Sequence, residues 1–159
     1  MGGKPANVGQ RVWIENLGEV FDPANVIGKV EVSDGFDTLV MGQTIEAIQR
    51  DRALARFEFR AANQWLGGAM NRSTIQGFFG AGAEDKSRTQ PFNLIADEPP
   101  VLLGQNEGSN PGEYLLHAIA ACVTTTTVLH AAARGIRIES MSSEVSGDVD
   151  AQGLLDFDK

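Results

Sequence analysis

The sequence predicts an α+β protein on three observations. Short apolar runs broken by turn residues fill the chain before residue 100, a single unbroken helical pattern covers residues 111–134, and strand-like patterning resumes after it. At 159 residues the chain is the size of one domain and long enough to bury a core.

Residues 1–10 are polar and glycine-rich and read as frayed. Arg11-Val12-Trp13-Ile14 and residues 26–32 read as strands, separated by Asp22-Pro23 and closed by Ser33-Asp34-Gly35. Residues 1–40 are therefore an N-terminal extension with short strands, followed by a main domain over 41–159. Residues 42–52 carry a short helical pattern, with Thr44 placed to cap it and Ile45 and Ile48 on one side. Alternation takes over from Ala55 to Ala61, putting Phe57 and Phe59 on one face and Arg56, Glu58 and Arg60 on the other. The strand pattern runs on to Trp65, turns at Gly67-Gly68 and resumes over residues 71–75, which is a hairpin pattern. Phe92-Asn93-Leu94-Ile95-Ala96 is a further strand, stopped by Asp97-Glu98-Pro99-Pro100.

The helix from Pro111 to Arg134 has the clearest boundaries. Asn110 suits the N-cap, Pro111 suits the first helical position, and Glu113 is placed to complete a capping box. Gly135 stands where a left-handed residue ends a helix. At a rise of about 1.5 Å per residue the segment spans roughly 36 Å. No charge occurs between Leu115 and Ala133, so the helix is a buried core element or a membrane span. A span would hold His117, His130 and the threonines from Thr124 to Thr127 in hydrocarbon, and no flanking charge pattern accompanies it. The core reading is preferred. Residues 136–139 and 143–149 then read as two strands.

The net charge is −8, and no cluster of Lys and Arg occurs, which argues against nucleic acid as a partner. The N-terminus lacks the basic-then-apolar pattern of a signal peptide, so a reducing cytoplasm is the expected compartment. One cysteine excludes an intrachain disulfide. One Cys and two His make a four-ligand zinc site improbable, and neither metal nor cofactor is expected.

Chemistry therefore centres on Cys122, in the middle of the long helix. Free cysteines in buried helices usually pack as small hydrophobes. A reactive thiol needs a nearby cation or helix N-terminus. Cys122 lies about 18 Å from its own helix's N-terminus by the rise per residue, so activation has to come from elsewhere. Arg72, at the tip of the predicted hairpin, and Arg88 are the candidate cations. His117 is offset from Cys122 by about 140° around the helix, and His130 lies two turns on; neither forms a Cys–His pair within the helix.

Residues 110–122 (NPGEYLLHAIAAC), followed by Ala131-Ala132-Ala133-Arg134-Gly135-Ile136, strongly resemble the core helix of the OsmC / organic hydroperoxide resistance family. Residues 87–92 (SRTQPF) and 96–104 (ADEPPVLLG) look like one branch of it, and the resemblance covers roughly residues 44–159. It implies antiparallel sheets wrapped around long buried central helices in an intertwined homodimer. It also implies thiol-dependent reduction of organic hydroperoxides, with Cys122 as the peroxidatic cysteine and Arg72 and Glu113 as its polarising partners. In characterised family members the glutamate directly follows the Asn-Pro pair; here Gly112 stands there and Glu113 comes next. Glu113 precedes Cys122 by nine residues, half a turn out of phase, so it is expected to cap the helix or to serve a partner chain's site. With no second cysteine, the implied enzyme is of one-Cys type and uses an external thiol reductant. The family pattern continues beyond Lys159, so the domain is expected to be incomplete at its C-terminus. The alternative is a non-catalytic relative that binds a small apolar ligand at the dimer interface.

Overall fold

A computed structural model of the chain describes residues 8–20, 32–33 and 35–154, with side chains over residues 35–152. In chain order the strands and helices are β1 (Val8–Val20), β2 (Val32–Ser33), β3 (Phe36–Asp37), α1 (Thr38–Arg50), β4 (Glu58–Phe59), β5 (Ala62–Gly67), β6 (Met70–Ile75), β7 (Phe78–Gly80), β8 (Ala83–Asp85), β9 (Phe92–Ala96), α2 (Pro111–Ala132), β10 (Ile136–Gly147) and α3 (Ala151–Leu154). Helices combine with antiparallel pairings, giving an α+β fold. Two compact units form, one from Met1–Phe36 with Leu115–Lys159 and one from Asp37–Tyr114.

In the first unit β1 and β10 pair antiparallel from Val8↔Gly147 to Val20↔Ile136, with an irregularity between Leu17 and Val20. β1 already begins at Val8, inside the stretch expected to fray. The strand expected over 26–32 lies outside the described residues up to position 31; Val32 belongs to the two-residue β2. β10 joins into one strand what the sequence splits into two. Ile136 and Ile138 are half-buried, and the alternation then shifts to Met141, Ser143 and Val145. That change of phase is what reads as a break, yet the backbone ladder runs through it, with Glu15↔Ser140 and Ile14↔Met141 still paired.

The second unit holds the hairpin. β5 and β6 pair with Trp65 opposite Asn71 and Gly67 opposite Met70, and β9 joins the other edge of β6. Gly67 (φ 130°) and Gly68 (φ 55°) take the turn, where an L side chain would be strained. The Trp65 indole N–H donates to the Gly68 carbonyl, 2.9 Å. A second small sheet, β4-β7-β8, is absent from the sequence reading. Its tight turn at Ala81-Gly82, both with positive φ, has the geometry of a primed hairpin turn.

Two local expectations are corrected. The first helix starts at Thr38, because Asp37 caps it by accepting from the Leu39 and Val40 N–H groups at 3.0 Å each. Thr44 sits inside the helix, its hydroxyl donating to the Val40 carbonyl. The alternation over 55–61 yields only the two residues of β4, since Arg52–Ala55 form a 3-10 turn on the Asp51 side chain. The faces still sort as expected: Phe57, Phe59 and Phe78 cluster with ring centroids 5.3–6.5 Å apart, while Arg60 pairs with Glu58 and Glu84.

Between β9 and α2 the chain makes a closed loop. Its ends are tied by a bridge between Ala96 and Ser109 and by the Asp97 N–H donating to the Ser109 carbonyl. Pro100–Leu102 form a 3-10 turn inside it. Gly104 and Gly108 pass so close to the Glu98 and Ile95 backbones that a Cβ at either would overlap main-chain atoms. A main-chain neighbour cannot rotate aside as a side chain can. Gly108→Ala is accordingly expected to cost about 1–3 kcal/mol, the usual penalty of overpacking, read as a lower midpoint in a thermal melt. An unchanged midpoint contradicts the close approach.

Candidate functional site

The first turn of α2 is built as a reciprocal cap. Asn110 Oδ1 accepts from the Gly112 N–H at 2.6 Å, and Glu113 Oε2 accepts from the Asn110 N–H at 2.8 Å. Such a pair satisfies helix donors that otherwise lack partners and contributes about 1 kcal/mol. Asn110 Nδ2 also donates to Glu98 Oε2. One residue beyond Glu113, the Tyr114 hydroxyl donates to the Ile95 carbonyl at 2.7 Å, fastening the helix start to β9. Of the two functions open to Glu113, capping is thus the one its contacts display.

Asp97 organises the loop that delivers this cap. It is the most buried polar residue among those described, 2% exposed. Its carboxylate accepts the backbone N–H groups of Glu98 (2.9 Å), Gln105 (3.0 Å) and Glu107 (3.2 Å). The Glu107 N–H, helped by those of Gln105 and Glu98, holds the Asp97 carboxyl below the usual carboxylate range, against the opposing effect of burial. In the sequence Asp97 and Glu98 read as a strand stop and as part of the 96–104 stretch, with no role of their own. An acid opening a Pro- and Gly-rich connection was the available signal, since such a carboxylate can gather the loop's own amides.

α2 runs unbroken from Pro111 to Ala132, two residues short of the expected end. Gly135 then takes φ 66°, and its N–H donates to the Ala132 carbonyl, as expected of a helix stop. Cys122 is a free, exposed cysteine. Among the described residues the expected burial of the helix is not met: only Ala131 and Ala132 of α2 are buried, and its other residues are half-buried or exposed. By length and composition α2 is also apolar enough to cross a membrane. One such helix is a weak indication, because the core helix of a soluble protein passes the same test.

Arg72 sits in β6 itself, between Gln64 and Ile95, and not at the hairpin tip. The tip is Gly68-Ala69, three to four residues earlier in the chain. Arg72 is exposed, and among the described residues no hydrogen bond or ion pair engages it or joins it to Glu113. Arg88 is committed elsewhere: its guanidinium lies over the Phe78 and Phe92 rings, 5.0 and 5.5 Å from their centroids, and Nη1 donates to the Gln76 carbonyl. Among the described residues no group of three or more His, Cys, Asp and Glu is placed to hold a metal ion.

These features define an α+β protein with one free thiol on a long helix that is uncharged after Glu113 and whose start is capped and tied to a neighbouring strand. Residues 104–159 match the family described as OsmC-like protein. The matched segment contains Glu113 and Cys122 and leaves Arg72 outside. No curated protein gives a significant match to the chain.

The depressed Asp97 carboxyl sets a pH dependence. A group whose folded pKa lies below its unfolded value stabilises the fold above the unfolded value, near 4, and loses that contribution as pH falls through the folded one. In circular-dichroism melts, Asp97→Asn is expected to lower the midpoint at pH 7 and to flatten its fall below about pH 4. Some slope remains in the variant because Asp85, held down by the Ser87 hydroxyl and N–H, titrates in the same direction. Parallel curves for variant and wild type exclude the stated role.

Proposed function

We propose that the protein is a one-Cys thiol peroxidase of OsmC type that reduces organic hydroperoxides. The observation that carries this is a free, exposed Cys122 on the uncharged helix, inside the segment that matches the OsmC-like family. In the proposed cycle the Cys122 thiolate attacks the outer oxygen of ROOH. The O–O bond breaks, the alkoxide leaves and is protonated to ROH, and the sulfur becomes a sulfenic acid. An external thiol condenses with the sulfenic acid, releasing water and forming a mixed disulfide; a second thiol releases Cys122 and leaves as the oxidised reductant. Arg72, exposed and unpaired, is the proposed polarising cation. Glu113 acts by fixing the start of the helix that carries the thiol.

The uncharged stretch of α2 from Leu115 onward, in which only Ala131 and Ala132 are buried among the described residues, favours a homodimer in which a second copy covers it. A reducing cytoplasm would supply the external thiol. The capping engagement of Glu113 favours a second reading, a non-catalytic protein that binds a small apolar ligand at the dimer interface with the cysteine as packing.

Thiol titration before and after cumene hydroperoxide separates the two. The peroxidase loses its one free thiol per chain, recovers it with dithiothreitol, and consumes no hydroperoxide as Cys122→Ser. Arg72→Met is expected to slow thiol oxidation at least about tenfold, equivalent to about 1.4 kcal/mol in the barrier, with its melting curve unchanged. A Cys122 that stays alkylatable after excess hydroperoxide ends the peroxidase reading. Equal binding of 1-aminoanthracene by wild type and Cys122→Ser then supports the ligand-binding one.

A further inference from the structure

Tyr114 is the one tyrosine of the chain, and it stands half-buried in the first turn of α2. A phenylalanine would pack the same ring, so what the tyrosine adds is its hydroxyl. That hydroxyl donates to the Ile95 carbonyl at 2.7 Å. β9 lies at the edge of the β5-β6-β9 sheet, and carbonyls on its open side need donors from outside the ladder.

Three contacts meet at Ile95. Across the ladder it is paired with Arg72 of β6. On the loop side Gly108 comes so close that a Cβ there would overlap the Ile95 carbonyl group. From α2 comes the Tyr114 hydroxyl. The Ile95 backbone is thus held by the sheet and crowded by the loop, so the helix start is bonded to a carbonyl with little freedom to move. The bonds made by Asn110 and Glu113 join the first turn to its own cap and to Glu98 of the loop, not to a strand.

Cys122 follows Tyr114 by eight residues on the same unbroken helix, about 12 Å along its axis. A helix freed to tilt by about five degrees at its start carries a residue at that distance by about 1 Å. Displacements of that size cost a reacting group up to about a hundredfold in rate.

We infer that Tyr114 is a positioning residue for the thiol: through Ile95, its hydroxyl ties the helix that carries Cys122 to the strand position paired with Arg72. The inference rests on the peroxidase reading above, in which Arg72 is the polarising cation. It adds the contact on which the action of that cation depends.

Tyr114→Phe keeps the ring and removes the one bond. Two readouts on the full chain test it, each with and without Arg72→Met: the rate of thiol loss in cumene hydroperoxide, and the pH profile of Cys122 alkylation by iodoacetamide. Y114F is expected to slow thiol oxidation about tenfold and to move the alkylation profile to higher pH. In the R72M background the same change is expected to add little, because groups that act as a unit are not additive. Melting curves establish that every variant is folded at the assay temperature. A lowered melting midpoint with both readouts unchanged marks a merely structural bond and overturns the inference. Equal effects of Y114F with and without Arg72 also overturn it, since the bond then acts on the thiol by another route. A wild type whose thiol survives excess hydroperoxide, or an R72M that matches wild type, overturns the reading beneath the inference and the inference with it.

Discussion

The buried Asp97 carboxylate is the contact on which the ordered middle of the chain depends. One side chain gathers three backbone amides separated by as many as nine positions and converts a connection rich in Pro and Gly into a closed loop. The tightness of that loop explains the glycines at 104 and 108, which leave no room for a side chain against the Glu98 and Ile95 backbones. Its closure delivers Ser109 beside Ala96 and Asn110 to the first turn of α2. Loss of the carboxylate would leave several amides short of an acceptor at once, and buried unpaired amides are costly.

From that loop the first turn of α2 takes its cap. Glu113 completes the reciprocal pair with Asn110, and Tyr114 reaches the Ile95 carbonyl, so the first turn is fixed by hydrogen bonds to its own cap and to β9. The same contacts explain why an acid one position later than the family pattern serves the helix well. A glutamate at the third helical position is spaced to return to the cap amide, and on a continuous helix it faces away from Cys122. Among the described residues no hydrogen bond or ion pair engages Arg72, whereas Arg88 is occupied by two phenylalanine rings and a carbonyl.

Features governed by neighbours along the chain were legible in advance. The boundaries of α2 followed from Asn110, Pro111, Glu113 and Gly135, whose effects act within one turn. The β5–β6 hairpin followed from Gly67-Gly68, which only a positive φ can use. Thr44 misled because Asp37, a stronger cap earlier in the chain, claims the amides first. β10 misled because its alternation changes phase while its ladder to β1 does not. That pairing joins residues more than a hundred positions apart, and no local pattern encodes it.

The sequence by itself determined the α+β composition, the long uncharged helix with both its stops, and the single thiol as the group to watch, since each depends on residue type and short spacing. Only the tertiary structure decided that Asp97 holds the loop before the helix, and that Arg88 is engaged by two rings and a carbonyl while Arg72, among the described residues, is not. Those outcomes turn on which donors and acceptors meet beyond the reach of a single turn. The exposure of α2 belongs to the same class: its lack of charge after Glu113 is written in the sequence, but that only Ala131 and Ala132 are buried among its residues is a property of packing.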